Sequence, residues 1–191
     1  MEISEALIAE LQSRGLLLQQ DLVLPNVVAA VAGEPVRGSW WSHRQAHTIF
    51  ACLNTIAQHP DVLVSRLVRG KVTFVHRRLW DAVLAVGRAR APWQFARLSP
   101  LARELYESVE RHGTLLATGT MARTIERRLL VHGEQVHTAA GHHEIALESW
   151  SYWAERVGCH STLTAQEGQR QLEAAVQALG GTVDLLPWGR G

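Results

Sequence analysis

Between Arg37 and Arg97 the chain carries ten of its nineteen Lys/Arg and only two acids, Asp61 and Asp81. No fold can bury such a segment unpaired, because a desolvated charge without a counter-ion is strongly destabilising. The ten cations must therefore form a surface, or one half of an ion-pair network completed from elsewhere. The rest of the chain holds nine cations against sixteen acids, so a middle of +8 is set between flanks of −7 and disappears into a formal net charge of +1. Four of the seven tryptophans, Trp40, Trp41, Trp80 and Trp93, lie in that middle. Concentrated cations with interleaved aromatics suit phosphate contact and base stacking. Pairing with the acidic flanks explains the same charges, and the sequence leaves both open.

A chain of 191 residues can form one large domain or two small ones around an ordinary core. With 47% hydrophobic and 19% charged residues, the composition is that of a folded protein and not of a disordered tail. No apolar run approaches the roughly 18 residues of a membrane span, so no membrane partner is expected. The first segment, MEISEALIAELQSRG, is acidic and amphipathic and lacks the basic and apolar regions of a signal peptide. A cytoplasmic location is the expectation. The two cysteines, Cys52 and Cys159, support neither a disulfide framework nor a cysteine-rich zinc site.

Periodicity and punctuation predict a helix-rich α+β fold. Ile3, Leu7 and Leu11 recur at spacing four before Gly15. A short helix is expected from Pro25 to Ala32, with Val27, Val28 and Val31 inward. Ser42 and Gln45 form a capping-box pattern ahead of the stripe Ala46, Ile49, Phe50, Leu53 and Ile56. Two strands, Val62 to Val68 and Lys71 to His76, join around Arg69-Gly70, where glycine can take the positive φ of a tight turn. A helix from Arg77 to Val86 then buries Leu79, Trp80, Val83 and Leu84. Residues 1–90 thus read as a basic-centred helix–β-hairpin–helix unit.

After the linker ARAPWQFARL, Ser99-Pro100 opens a helix that places Leu101, Leu105 and Val109 on one side. Thr114 to Ala117 suit a brief strand or turn. A helix follows from Thr120 to His132, and then a hairpin over Glu134 to Leu147 that turns at Ala139-Ala140-Gly141. Trp150 and Trp153 are expected to anchor the next helix to that sheet. The last helix, Thr164 to Leu179, has a Thr164/Glu167 capping box, and the tail TVDLLPW suits an edge strand. Residues 99–157 form the second unit on this basis, with 161–191 as a helix and tail packed on the core.

The order SPLARELYESVERHG, TLLA, TGTMARTIERRLLVHG and EQVHTAAGHHEIALESW resembles a winged-helix domain over residues 99–149, about a quarter of the chain. The resemblance rests on the order of elements, and winged helices serve both DNA recognition and protein contact. It implies that the second helix is the one set into the major groove. Helical spacing puts Met121, Ile125 and Leu129 inward, with Thr120, Arg123, Thr124 and Arg127 on the opposite face and Glu126 off it. Arginine can pair bidentately with guanine, and threonine can touch a thymine methyl or a phosphate.

A second candidate site is the string Trp40-Trp41-Ser42-His43-Arg44, where a loop enters a helix. There Ser42 would cap, His43 and Arg44 would supply donors, and Trp40, the more exposed of the pair, would offer a stacking plane. The hairpin cations Arg66, Arg69 and Lys71 are expected within reach of it. His137, His142 and His143 with Glu144, and His43 with His47, lack convergent ligand geometry, so neither a metal nor a cofactor is assigned. No nucleophile motif, phosphate loop or acid cluster specifies a reaction, and no catalytic residue is assigned. The leading expectation is a nucleic-acid-binding protein, DNA favoured. The alternatives are a protein-contact or homo-oligomerising winged-helix module, and a DNA-processing enzyme with a pocket near Trp40–Arg44.

Overall fold

The structure, a computed structural model, describes residues 3–137 and 143–189. Helix α1 (Ile3–Arg14) buries Leu7 and Leu11 and ends at Gly15, whose φ of 84° turns the chain straight into strand β1 (Leu16–Leu18). All three leucines of β1 are buried. Strand β2 (Val62–Ser65) and strand β3 (Thr73–His76) form the expected hairpin, and β1 pairs antiparallel with β3 from the other side. The sheet order is β1-β3-β2, so the hairpin is part of a three-stranded sheet with a wholly buried centre. A run of three leucines has no alternation, which hides a strand covered on both faces. Both hairpin strands are shorter than expected, because Arg66 to Val72 form a wide turn with Arg69 at φ 56° and Gly70 at φ 69°.

Helix α2 (Val27–Ala32) buries Val27, Val28 and Val31, but its cap is Asn26, whose side chain accepts from the Ala29 N–H at 2.8 Å; Pro25 lies outside the helix. Helix α3 (Ala46–Ala57) begins later than its capping pattern suggests. Trp40–Ser42 form a 3₁₀ turn, Ser42 caps nothing, and Gln45 precedes α3 without a side-chain cap bond. The turn drives Trp40 into the core (6% exposed) and leaves Trp41 outside at 62%, the reverse of the expected assignment. Trp41 stacks on Trp40 at 4.0 Å and leans on Phe50, so Phe50 also faces outward, and Ile49, Cys52, Leu53 and Ile56 make the buried stripe.

The helix expected from Arg77 divides into a 3₁₀ turn (Arg77–Leu79), which buries Leu79, and helix α4 (Trp80–Gly87), which buries Trp80, Val83 and Leu84. The linker contains a short helix, α5 (Pro92–Phe95). Helix α6 (Pro100–His112) is capped by Ser99, but its inward stripe is Ala102, Tyr106 and Val109; Leu101 is 63% exposed. Strand β4 (Thr114–Ala117), helix α7 (Gly119–Arg127) and strands β5 (His132–His137) and β6 (His143–Glu148) complete a second antiparallel sheet, ordered β4-β6-β5. The expected hairpin tip at Ala139-Ala140-Gly141 lies outside the described residues.

Helix α7 stops at Arg127 and does not reach His132. Leu129 adopts φ 52°, and its carbonyl accepts from the Trp150 indole at 2.7 Å and from Gln94 Nε2 at 3.1 Å. These tertiary bonds outweigh the local helix preference. They also place Leu129 in the central core, while Leu130 and Val131 fill the core beneath the second sheet.

Helix α8 (Trp150–Val157) and helix α9 (Ala165–Ala178) pack on α4, with Trp80 and Trp153 edge to face at 5.3 Å. Trp150 and Trp153 therefore tie α8 to α4 as well as to the sheet. Residues of 1–90, 99–157 and 161–191 all enter this central core. The tail forms a 3₁₀ turn (Val183–Leu185), not an edge strand, and Leu185 accepts from the Arg69 N–H at 2.7 Å. No helix among the described residues is long and apolar enough to cross a membrane. A Cβ at Gly168 of α9 would lie 2.7 Å from the Ala82 carbonyl oxygen of α4, so the two backbones meet there. Gly168→Ala should destabilise the fold by about 1–3 kcal/mol, because overpacking outweighs alanine's better helix propensity. The measurement is the urea midpoint, expected to fall with the slope unchanged.

Candidate functional site

The turn between β2 and β3 and the helix α7 are separated in sequence by β3, α4, α5, α6 and β4, and the fold brings their cations together. Glu126 of α7 is the hinge of this arrangement. It is only 5% exposed, and its Oε2 lies 3.0 Å from Arg123 Nη1 and 3.3 Å from Arg66 Nε. Burial lowers the Arg66 pKa from its ordinary value; Glu126 opposes that, and the nearby charges of Arg123 and Arg127 add to it. Gly70 lies under Arg127, since a Cβ there would be 3.3 Å from Arg127 Cδ and Nε. A bare backbone at the turn is what lets the α7 side chain rest on it.

Three clefts meet at Arg127. The first is lined by Thr120, Arg123, Gln135 and Glu144; the second by Arg69, Trp93, Arg97, Arg128 and Leu186; the third by Asp21, Leu22, Arg37, Arg66 and Lys71. Eight cationic side chains line them, against Asp21 and Glu144, with Glu126 beneath Arg66. Among the described residues, Arg37, Arg97 and Arg127 form no ion pair with a carboxylate, so the groove has an excess of positive charge.

Asp21 organises one wall of the groove. Its Oδ2 accepts from Lys71 Nζ at 2.7 Å and lies 3.7 Å from Arg69 Nη1, and its Oδ1 accepts from the N–H groups of Val23 and Leu24. Burial alone would raise its pKa. The Lys71 hydrogen bond, the two backbone donors and the Lys71 charge prevail and hold it at about 2. Asp21 lies outside the basic middle and has no charge or periodicity signal of its own. Its signal is the Asp21–Asn26 turn chemistry between two apolar segments.

The site residues expected from sequence are divided by the fold. Arg66, Arg69, Lys71, Thr120, Arg123 and Arg127 all line the groove. Thr124 spends its hydroxyl on the Thr120 carbonyl at 2.8 Å. Met121 is exposed and not inward, and Ala122, Ile125 and Glu126 are the buried face of α7. The loop at Trp40–Arg44 lines none of the three clefts, and Lys71 is bound to Asp21. Trp40 is buried and cannot stack on a base. His43 accepts from the Gln45 N–H, and Arg44 is exposed away from the groove lining. The preceding Arg37 and Gly38 reach the groove instead, held by Gln20 Nε2 donating to the carbonyls of Val36 and Gly38.

Two other cations of the basic middle, Arg77 and Arg90, are paired with acids. Arg77 meets Asp61 at 2.9 Å and Arg90 meets Glu110 at 2.6 Å. Among the described residues, no group of three or more His, Cys, Asp or Glu is placed to hold a metal ion; His142 and the side chains of His137 and His143 lie outside them. Burial and the adjacent Asp81 push the Cys159 thiol up to about 11, which removes thiolate chemistry near neutral pH. No protein-family model, curated protein or solved structure matches the chain.

Asp21 has an ordinary pKa of 3.8 and is lowered to about 2. Its ionised form therefore favours the fold by about 2 kcal/mol above pH 4, a contribution lost as pH falls through the folded value. Glu148, also held at about 2, titrates in the same window; its burial is opposed by hydrogen bonds from His132 and Arg156. Asp21→Asn should cost about 2 kcal/mol at neutral pH and flatten, without abolishing, the loss of stability on acidification. Urea unfolding across a pH series measures both.

Proposed function

We propose that the chain is a DNA-binding protein in which α6, β4, α7, β5 and β6 form a winged-helix unit and the β2–β3 turn supplies a second contact surface. The element order and the pairing of β4 with β6 support the winged-helix reading. One observation carries the functional reading: the arginines of α7 and the cations of the β2–β3 turn converge on one groove centred on Arg127. Such a groove attracts a polyanion along its length. Within α7 the roles are unequal. Arg123 is held by Glu126 and positions the groove, whereas Arg127 and Thr120 are the donors presented to a ligand.

A protein-contact reading has its own support. Leu101, Leu116 and Met121, from α6, β4 and α7, are exposed apolar residues of the same unit, and β4 is an edge strand. The enzyme reading gains nothing from the groove, since Trp40–Arg44 line none of the three clefts.

Binding to a mixed-sequence duplex, followed by fluorescence anisotropy over a salt series, tests the proposal. Affinity should fall steeply with salt, as counter-ions are released from the phosphates. Arg127→Ala should weaken binding on the order of several-fold and reduce the log–log salt slope by about 1. Arg170→Ala, on the exposed side of α9, should change neither. A flat salt dependence, or no binding at low salt, refutes the proposal.

A further inference from the structure

We infer that Leu22 and Val23 form an apolar wedge that enters one base step of the bound duplex and kinks it, an inference that rests on the DNA-binding reading above. Single exposed apolar residues are ordinary on protein surfaces. This pair differs in how it is held and in what surrounds it.

Leu22 is 51% and Val23 81% exposed, on a turn pinned from both sides. The Asp21 carboxylate accepts from the N–H of Val23 at 2.9 Å and of Leu24 at 3.1 Å. The Asn26 amide donates to the carbonyls of Asp21 at 2.9 Å and Leu24 at 2.8 Å, and Leu24 itself is buried. The backbone around the two side chains is thus pre-ordered, and they remain outside without a loss of loop entropy on binding.

The same Asp21 that shapes the turn binds Lys71 and lies beside Arg69. Leu22 therefore shares its cleft with Arg37, Arg66, Lys71 and Arg127. The complementary ligand has negative charge outside and an apolar interior reached through it. A DNA duplex has that chemistry, with phosphates flanking stacked bases. An anionic bilayer shares it, but the cleft beside Leu22 includes Arg127, which also lines the cleft of Thr120 and Arg123 on α7, so the wedge borders the surface assigned to the duplex. Minor-groove proteins insert such branched or apolar side chains between base steps, and the lost stacking is offset by burial of the wedge and by closer backbone contacts. Two adjacent side chains match one step, so a single kink is expected.

The test uses the full chain and a duplex rich in CA and TA steps, which unstack most readily. Donor and acceptor dyes at the ends report bending, and 2-aminopurine within the duplex reports unstacking. The intact protein should shorten the end-to-end distance and raise 2-aminopurine emission. The double variant Leu22→Ser/Val23→Ser should lose both signals while retaining the salt slope, with affinity lowered by about tenfold or less. Leu22→Met/Val23→Ile should retain both signals. The positions are exposed, so the circular-dichroism melt of the serine variant should match that of the parent chain.

Salt-dependent binding to a duplex that stays straight and stacked would overturn the wedge and leave the DNA-binding reading standing. Absence of duplex binding at low salt would overturn both. A serine variant that bends DNA as the parent does would also overturn the wedge. So would an arm with phosphatidylserine vesicles in which the parent binds, the serine variant does not, and the duplex remains unbent.

Discussion

The buried carboxylate of Glu126 is the interaction on which the groove depends. It bridges Arg66 of the β2–β3 turn and Arg123 of α7, and so couples the two sheet-bearing parts of the molecule through charge. A buried ion pair stabilises little on balance, because desolvation consumes most of the Coulomb attraction. Loss of one partner is far worse than loss of both, since it strands a charge in a poorly solvated place. The value of Glu126 is therefore geometric. It dictates which arginines face inward and leaves Arg127 over Gly70 at the junction of three clefts.

The charge imbalance of the chain is resolved by division. Asp61, Glu110, Asp21 and Glu126 each engage part of the cationic set, and of these acids Asp61 alone lies in the basic middle. Arg37, Arg97 and Arg127, which have no such partner among the described residues, line the groove beside the paired Arg66, Arg69 and Lys71. Surface patch and ion-pair network, the two arrangements that the charge pattern allowed, are both present, and they meet in the groove. The hydrophobic core supports this division. Leu129 leaves the helical conformation so that its carbonyl can receive Trp150 and Gln94, and that turn ends α7 where its arginines meet the hairpin.

Much of the element order was legible, because it depends on local chemistry. The Ser99 and Thr164 caps, the glycine at the β2–β3 turn and the stripes of α1 and α4 act over a few residues. The elements misplaced from sequence share a different cause. Between Trp40 and Trp41, and between Leu101 and Ala102, adjacent residues compete for the core, and a rotation of about 100° per helical residue decides which wins. Local spacing cannot resolve that, since the winning face depends on what packs opposite.

The sequence by itself determined a helix-rich α+β chain, its basic middle, the cations of the β2–β3 turn and the arginine-bearing face of α7. These follow from residue type and short-range periodicity. Tertiary structure alone decided that the turn and α7 share one groove, that Trp40 is core, and that Asp21 and Glu126 are the acids that shape the surface. The reason is that an ion pair between distant segments has no sequence signature. Its partners are chosen by the packing of a core that buries both, and only the folded chain brings Glu126 to Arg66 and Asp21 to Lys71.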